Sequence, residues 1–152
     1  MTKYLLDTNI LLRASDKASV HHTLAVKAVA SLIAQGYECV ITAQVLIEFW
    51  VVATRPIEVN GLGWSVEQTE NKINQLIKQF TLITENEAIF TNWLELVTRY
   101  QIKGKRTHDA RLMAVMIANK ITHVLTFNPQ DFKEATEVKI VHPDQIKPIK
   151  LE

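Results

Sequence analysis

The chain contains little cysteine, glycine or proline, and neither sign of charge predominates. Its 152 residues include one cysteine, four glycines and four prolines. The single cysteine, Cys39, excludes an internal disulfide and fits a reducing compartment. Lys and Arg number 17 against 16 Asp and Glu, a formal net charge of +1. No global basic field therefore indicates nucleic-acid binding, and any such contact must be local.

Long apolar runs are absent as well. The run over residues 45–53 contains Glu48 and is far shorter than the roughly 20 residues that span a membrane. Only three residues of a short apolar run, Tyr4 to Leu6, precede Asp7, which is too little for a signal sequence. We therefore expect a cytoplasmic protein without a membrane segment. With 47% apolar residues, the chain has enough material for one core, so we expect a single domain over residues 1–152.

What the sequence does contain is an alternation of short β-like runs and longer segments of helical period. This alternation predicts a three-layer α/β/α sandwich with a central parallel sheet of four to five strands. The predicted strands are residues 3–6, 38–41, 81–83, 123–127 and 138–141. The predicted helices are residues 9–14, 21–35, 43–53, 86–100, one that begins after Ser65 and one that Thr107 caps.

Three carboxylates stand in apolar settings far apart in the chain. Asp7 ends the first predicted strand, Glu48 interrupts an apolar helix, and Asp109 lies in the first turn of its helix. We expect all three at the sheet edge where the strands end, because ligands of open α/β sheets collect there. A carboxylate removed from water needs hydrogen bonds, a cation or a metal. Oxygen ligands suit Mg²⁺ or Mn²⁺, so the pattern indicates a metal-dependent enzyme.

Taken singly, two of these acids have ordinary structural explanations. Asp7 is also a suitable helix cap, and Asp109 in a first helical turn also gains from the helix dipole. Glu48 favours a shared site, because no basic residue adjoins it in the sequence. The fourth predicted strand brings Thr126 and Asn128 to the same edge, with Asp131 just beyond.

Four segments together carry a resemblance to a known family. They are LLDTN at residues 5–9, Glu48 in its apolar helix, KRTHDARL at 105–112 and LTFNPQDF at 125–132. In their order and spacing, the chain resembles the PIN domain, and particularly the VapC-like ribonuclease toxins of bacterial and archaeal toxin–antitoxin systems. The resemblance spans nearly the whole chain. It implies an endoribonuclease that uses Mg²⁺ or Mn²⁺ to hydrolyse RNA, a cognate antitoxin protein and a homodimer.

The resemblance has one departure, at Asn128. Many PIN domains carry a fourth acid there, whereas here the next acid is Asp131. Asn128 and Asp131 are therefore further candidate ligands beside Asp7, Glu48 and Asp109, and the number of metal ions stays open. Three polar residues are candidates for holding the ligating carboxylates or a water, although ordinary caps and turns explain them equally well. They are Thr8, Asn9 and Thr126.

Cations near the same edge are candidates for contacts with the RNA backbone, which would bind without reading sequence. They are Arg13, Lys103, Lys105, Arg106 and Arg111. A solvated basic loop is the ordinary alternative for the lysines. The five histidines show no zinc-like spacing, so none is assigned as a ligand.

Two other functions remain open. In the first, the chain is a phosphohydrolase with Asp7 as nucleophile, although such enzymes expect a second acid where Asn9 stands. In the second, it is a non-catalytic RNA- or partner-binding module of PIN-like fold. The amide of Asn128, in place of the usual fourth acid, motivates this alternative.

Overall fold

A parallel sheet of five strands forms the centre of the computed structural model, which describes residues 1–134 and 136–148. The spatial order of its strands is β3-β2-β1-β4-β5. The strands are β1 Lys3–Leu6, β2 Glu38–Ile41, β3 Thr81–Leu82, β4 His123–Leu125 and β5 Lys139–Val141. The predicted parallel sheet is confirmed. Strand β4 ends two residues before the predicted position, because the N–H of Phe127 donates to the Asn9 side chain rather than to a strand.

Within the described residues, six α-helices cover the two faces of this sheet. They are α1 Thr8–Ser15, α2 His22–Ala34, α3 Ala43–Thr54, α4 Val66–Gln79, α5 Ala88–Arg99 and α6 Arg106–Ala118. The chain moves one way from β1 to β3 and then crosses to β4 on the other side. Right-handed crossovers therefore place α1 to α4 on one face and α5 and α6 on the other, which is the predicted three-layer sandwich. In the described ranges, no helix combines the length and apolar character needed to cross a membrane.

Side-chain caps begin three of these helices. Asp7 caps α1, where its carboxylate accepts from the N–H of Thr8. The Thr42 hydroxyl accepts from the N–H of Val45 at the start of α3, and Ser65 accepts from Gln68 at the start of α4. The prediction that Thr107 caps the last helix is wrong. Helix α6 already begins at Arg106, and the Thr107 hydroxyl donates to the carbonyl of Gly104.

The core lies on both sides of the sheet. Leu5, Val40 and Val124 on the three central strands are fully buried. Helix α6 is enclosed around most of its circumference, since five consecutive residues, Leu112 to Met116, are each at most 1% exposed. The buried faces of α2, α4 and α6 are narrower than the apolar period of these helices. Ile33, Ile77 and Ile117 lie at their edges and are exposed.

Candidate active site

The candidate site lies where the strand order changes direction. Strands β1 and β4 are neighbours, but the chain leaves β1 toward β2 and leaves β4 toward β5. Such a switch point opens a crevice at the carboxyl ends of the strands, the usual ligand site of open α/β sheets. Asp7 directly follows β1, and its N–H donates to the carbonyl of Leu125 at the end of β4. The fold therefore places Asp7 in this crevice.

Asp7 is a buried carboxylate held by three donors. The residue is 7% exposed. Its Oδ1 accepts from the N–H of Thr8 at 2.8 Å, and its Oδ2 accepts from the Thr126 hydroxyl at 2.8 Å and from Asn9 Nδ2 at 3.3 Å. Burial raises the pKa of Asp7 to about 6, the bonds from Thr126 and Thr8 lower it, and the charges of Glu48 and Asp131 raise it. Among the described residues, no basic side chain is a main cause of this shift, so hydrogen bonds rather than an opposite charge stabilise the Asp7 carboxylate.

Asn9 and Thr126 clamp the ends of β1 and β4 together. Asn9 Nδ2 donates to the Thr126 hydroxyl at 3.2 Å, and Asn9 Oδ1 accepts from the N–H of Phe127 at 3.0 Å. The Thr126 hydroxyl also accepts from the N–H of Asn128 at 3.0 Å. Asn128 thus contributes its backbone to the clamp, while the residue itself is exposed.

Glu48 reaches the same place from helix α3. Its Oε2 accepts from the Thr8 hydroxyl at 2.8 Å, and its Oε1 accepts from Gln44 Nε2 at 3.1 Å. Thr8 therefore contacts both acids, Asp7 through its backbone and Glu48 through its side chain. The sequence analysis did not predict Gln44 as a site residue, although its position one helical turn before Glu48 indicated a possible contact.

Asp109 and Asp131 complete the cluster. The pKa of Asp109 is raised to about 7, first by burial and then by the charges of Asp131, Asp7 and Glu48, while Arg106 lowers it. Each of the four carboxylates therefore lies close enough to influence another. Among the described residues, no protein donor bonds to the Asp109 carboxylate.

The four acids are neighbours but do not form a finished metal shell. Within residues 1–134 and 136–148, no three Asp, Glu, His or Cys side chains already converge to hold an ion. Their chemistry nevertheless fits a hard divalent cation, because the donors are all oxygen atoms. A cation would also offset the repulsion that raises the pKa of Asp7 and Asp109.

Two of the five cations predicted to contact RNA are engaged by acids. Arg106 pairs with Glu134, and Arg111 pairs with Glu85 through Nη2 and Oε2 at 2.6 Å. These partners lie 28 and 26 residues away in sequence, so local patterns gave no sign of them. The other three predicted cations are exposed. They are Arg13, Lys103 and Lys105.

Comparisons with known proteins agree with this architecture. The sequence matches the PIN domain family over residues 4–138. A chain of VapBC2 from Rickettsia felis, solved with a DNA fragment from its promoter, is similar with a TM-score of 0.68 and 21% identity, covering 93% of this chain and 98% of that one. VapBC-1 from nontypeable Haemophilus influenzae is similar with a TM-score of 0.68 and 17% identity, covering 95% of this chain and 100% of that one. A chain of a toxin–antitoxin complex from Klebsiella pneumoniae has a TM-score of 0.63 and 21% identity, covering 92% of this chain and 97% of that one. Curated protein sequences give no significant match.

Proposed function

Because the chain belongs to the PIN domain family, we propose that it is a metal-dependent endoribonuclease and the toxin of a type II toxin–antitoxin pair. One observation carries the proposal. Asp7, Glu48, Asp109 and Asp131 gather at the switch point of the sheet, where the charges of their neighbours raise the pKa of Asp7 and Asp109. Such a cluster costs stability in a folded protein, and binding a cation offsets that cost.

Asp7, Glu48 and Asp109 would hold a Mg²⁺ or Mn²⁺ ion, with Asp131 and Asn128 as further oxygen donors. When bound, the ion supplies an activated water and neutralises charge at the phosphorus. The chain itself supplies position. Thr8, Asn9 and Thr126 fix the carboxylate of Asp7 before substrate arrives, so little reorganisation is needed during the reaction.

RNA would approach along the exposed cations near this edge. Lys103 and Lys105, in the loop before α6, and Arg13 on α1 are exposed and can neutralise backbone phosphates without reading sequence. A water nucleophile at this site would leave the ribose hydroxyl out of the reaction. We therefore expect products with a 5′-phosphate and a 3′-hydroxyl.

The decisive experiment compares RNA cleavage by the purified parent and by Asp109→Asn. We expect the parent to cut RNA with Mg²⁺ or Mn²⁺ and to stop in EDTA, and we expect Asp109→Asn to abolish cutting because a metal ligand is lost. Glu70→Gln, an exposed acid on α4, is the matched control and should cut like the parent. Cleavage that persists in EDTA, or 2′,3′-cyclic phosphate ends, would contradict the proposal.

The geometry favours a metal ligand over a nucleophile at Asp7. Both of its carboxylate oxygens already accept hydrogen bonds, and the residue is buried. Asn9 stands at the position of the second acid of such phosphohydrolases. Its side-chain amide donates to Asp7 and Thr126 and accepts from the N–H of Phe127. A phospho-aspartate trapped at Asp7 would reverse this preference. A non-catalytic module would instead bind RNA without any metal-stimulated cleavage.

A cognate antitoxin is the proposed partner, in the cytoplasm where the RNA is. Support comes from the similar structures, which are VapBC and toxin–antitoxin complexes. We expect induction of this chain alone to arrest growth, and co-expression of a small protein encoded beside it to restore growth. Arrest by Asp109→Asn equal to that of the parent would argue against a nuclease toxin.

A further inference from the structure

Within the part of the chain that the structure describes, Gln44 is the one side chain in the site that bonds to both helices carrying the proposed metal-binding acids. Its Nε2 donates to Glu48 Oε1 at 3.1 Å on its own helix α3. The same nitrogen donates to the carbonyl of His108 at 2.7 Å, in the first turn of α6 and directly before Asp109. A single amide therefore connects the segment that bears Glu48 to the segment that bears Asp109.

Arg111 determines which way this amide points. Arg111 Nη1 donates to Gln44 Oε1 at 3.1 Å, so both amide protons and the amide oxygen of Gln44 have partners. With the amide turned over, its oxygen would face two acceptors and its nitrogen would face a guanidinium, which leaves all three contacts repulsive. Glu85 in turn accepts from both terminal nitrogens of the guanidinium, from Nη2 at 2.6 Å and from Nη1 at 3.4 Å. A forked pair of this kind fixes orientation as well as charge.

We propose that Gln44 is a positioning residue that sets Glu48 against Asp109, and that Arg111 and Glu85 act by fixing the Gln44 amide. The inference rests on the proposed nuclease function and deepens it. It also gives Arg111 a role other than contact with RNA phosphates. Thr8 still holds the second oxygen of Glu48 when Gln44 is removed, so the carboxylate remains in the site but loses its fixed relation to α6.

The test measures Mn²⁺ affinity by electron paramagnetic resonance on metal-free protein, with RNA cleavage as a second readout. Gln44→Met keeps the length of the side chain and removes all three bonds. We expect it to weaken Mn²⁺ binding about 10- to 100-fold, the usual effect of losing a partner of a ligand. Arg111→Met should weaken binding less, because the Gln44 amide is then mobile but present.

The double variant separates the two roles of Arg111. If Arg111 acts through Gln44, Gln44→Met/Arg111→Met binds Mn²⁺ no more weakly than Gln44→Met alone. If Arg111 contacts RNA instead, Arg111→Met leaves Mn²⁺ affinity unchanged and raises KM in a salt-dependent way, which overturns the inference. Arg99→Met breaks an exposed ion pair with Glu95 on α5 and is the matched control, expected to bind and cut like the parent.

A measurement on the parent protects the test against variants that fail to fold. In nuclear magnetic resonance of the metal-free parent, the side-chain amide protons of Gln44 should exchange with water more slowly than those of Gln75, which is exposed on α4. Equal exchange rates would overturn the inference. A parent that binds Mn²⁺ but leaves RNA uncut contradicts the nuclease proposal alone. A parent that cuts RNA while all variants match its Mn²⁺ affinity contradicts the positioning role alone.

Discussion

The folded chain compensates the charges of Asp7 and Asp109 only in part. Their pKa values are raised from 3.8 to about 6 and about 7. The folded protein therefore binds these protons more tightly than the unfolded chain does, and its stability falls as the pH rises from about 4 to about 7. For Asp7 the shift corresponds to about 3 kcal/mol at neutral pH, at 1.36 kcal/mol per unit. Cation binding is expected to recover this stability.

Asp109→Asn should stabilise the metal-free protein at pH 8. The substitution removes a destabilising charge and costs no described protein hydrogen bond, because the Asp109 carboxylate accepts none. We expect a gain on the order of 1 kcal/mol after solvent screening, measured by urea unfolding in EDTA. The gain should shrink as the pH falls toward 4, where the parent carboxyl is protonated. A variant that is less stable than the parent at pH 8 would show that Asp109 has a compensating partner.

The acids could be predicted from the sequence, but only some of the residues that contact the acids or pair with nearby cations could be. A carboxylate inside an apolar segment is a local signal, and Asp7, Glu48 and Asp109 all gave it. The contacts of Thr8 and Asn9 with Asp7 lie within two residues in the chain. Glu85 and Glu134 gave no such signal, because only the packing of separate elements brings them to Arg111 and Arg106.

At the scale of elements, apolar periodicity located the strands and helices better than their ends. Strands β1 and β2 have the predicted bounds, because each ends where a polar capping residue follows. The start of α6 was misplaced, because no side chain caps it and the helix continues directly from a basic turn. The loop after α3 folds back on the end of that helix, where the N–H groups of Leu62 and Trp64 donate to the carbonyls of Val52 and Ala53.

Gly61 in that loop is expected to be essential for ending α3. A Cβ atom there would lie 1.9 Å from the backbone oxygen of Arg55, which cannot move without breaking the turn. We expect Gly61→Ala to cost about 3 kcal/mol in thermal or urea unfolding. Gly36→Ala is the control. A Cβ atom there would meet no atom within 4 Å beyond its chain neighbours, but φ is +91°, so the substitution should cost about 1 kcal/mol. Equal losses would mean that the loop relaxes around the methyl group.

At the scale of the whole molecule, the strand order creates the site and was beyond sequence reasoning. Apolar patterns predict which segments are strands, but the pairing of β1 with both β2 and β4 is a tertiary choice. That choice opens the crevice between the two strand ends where Asp7 and Thr126 meet. The α/β class could be predicted because element type and order are local, whereas the position of the crevice is not.

The predicted homodimer has a suitable surface on α3 and α5. Ile47, Val51, Phe90 and Leu94 are 48–65% exposed, and the clefts beside the two helices share Glu85, His108 and Arg111. The exposed apolar residues of α3 and α5 therefore flank a polar strip. A two-fold contact with a second copy would bury both apolar patches.

We expect the parent to elute as a dimer in size-exclusion chromatography with light scattering. Val51→Glu should be monomeric, because a two-fold contact brings both introduced charges into the apolar interface. Val20→Glu, at a residue 91% exposed before α2, is the control and should stay dimeric. A monomeric parent, or a dimer that survives Val51→Glu, would place the α3 and α5 face outside any self-association.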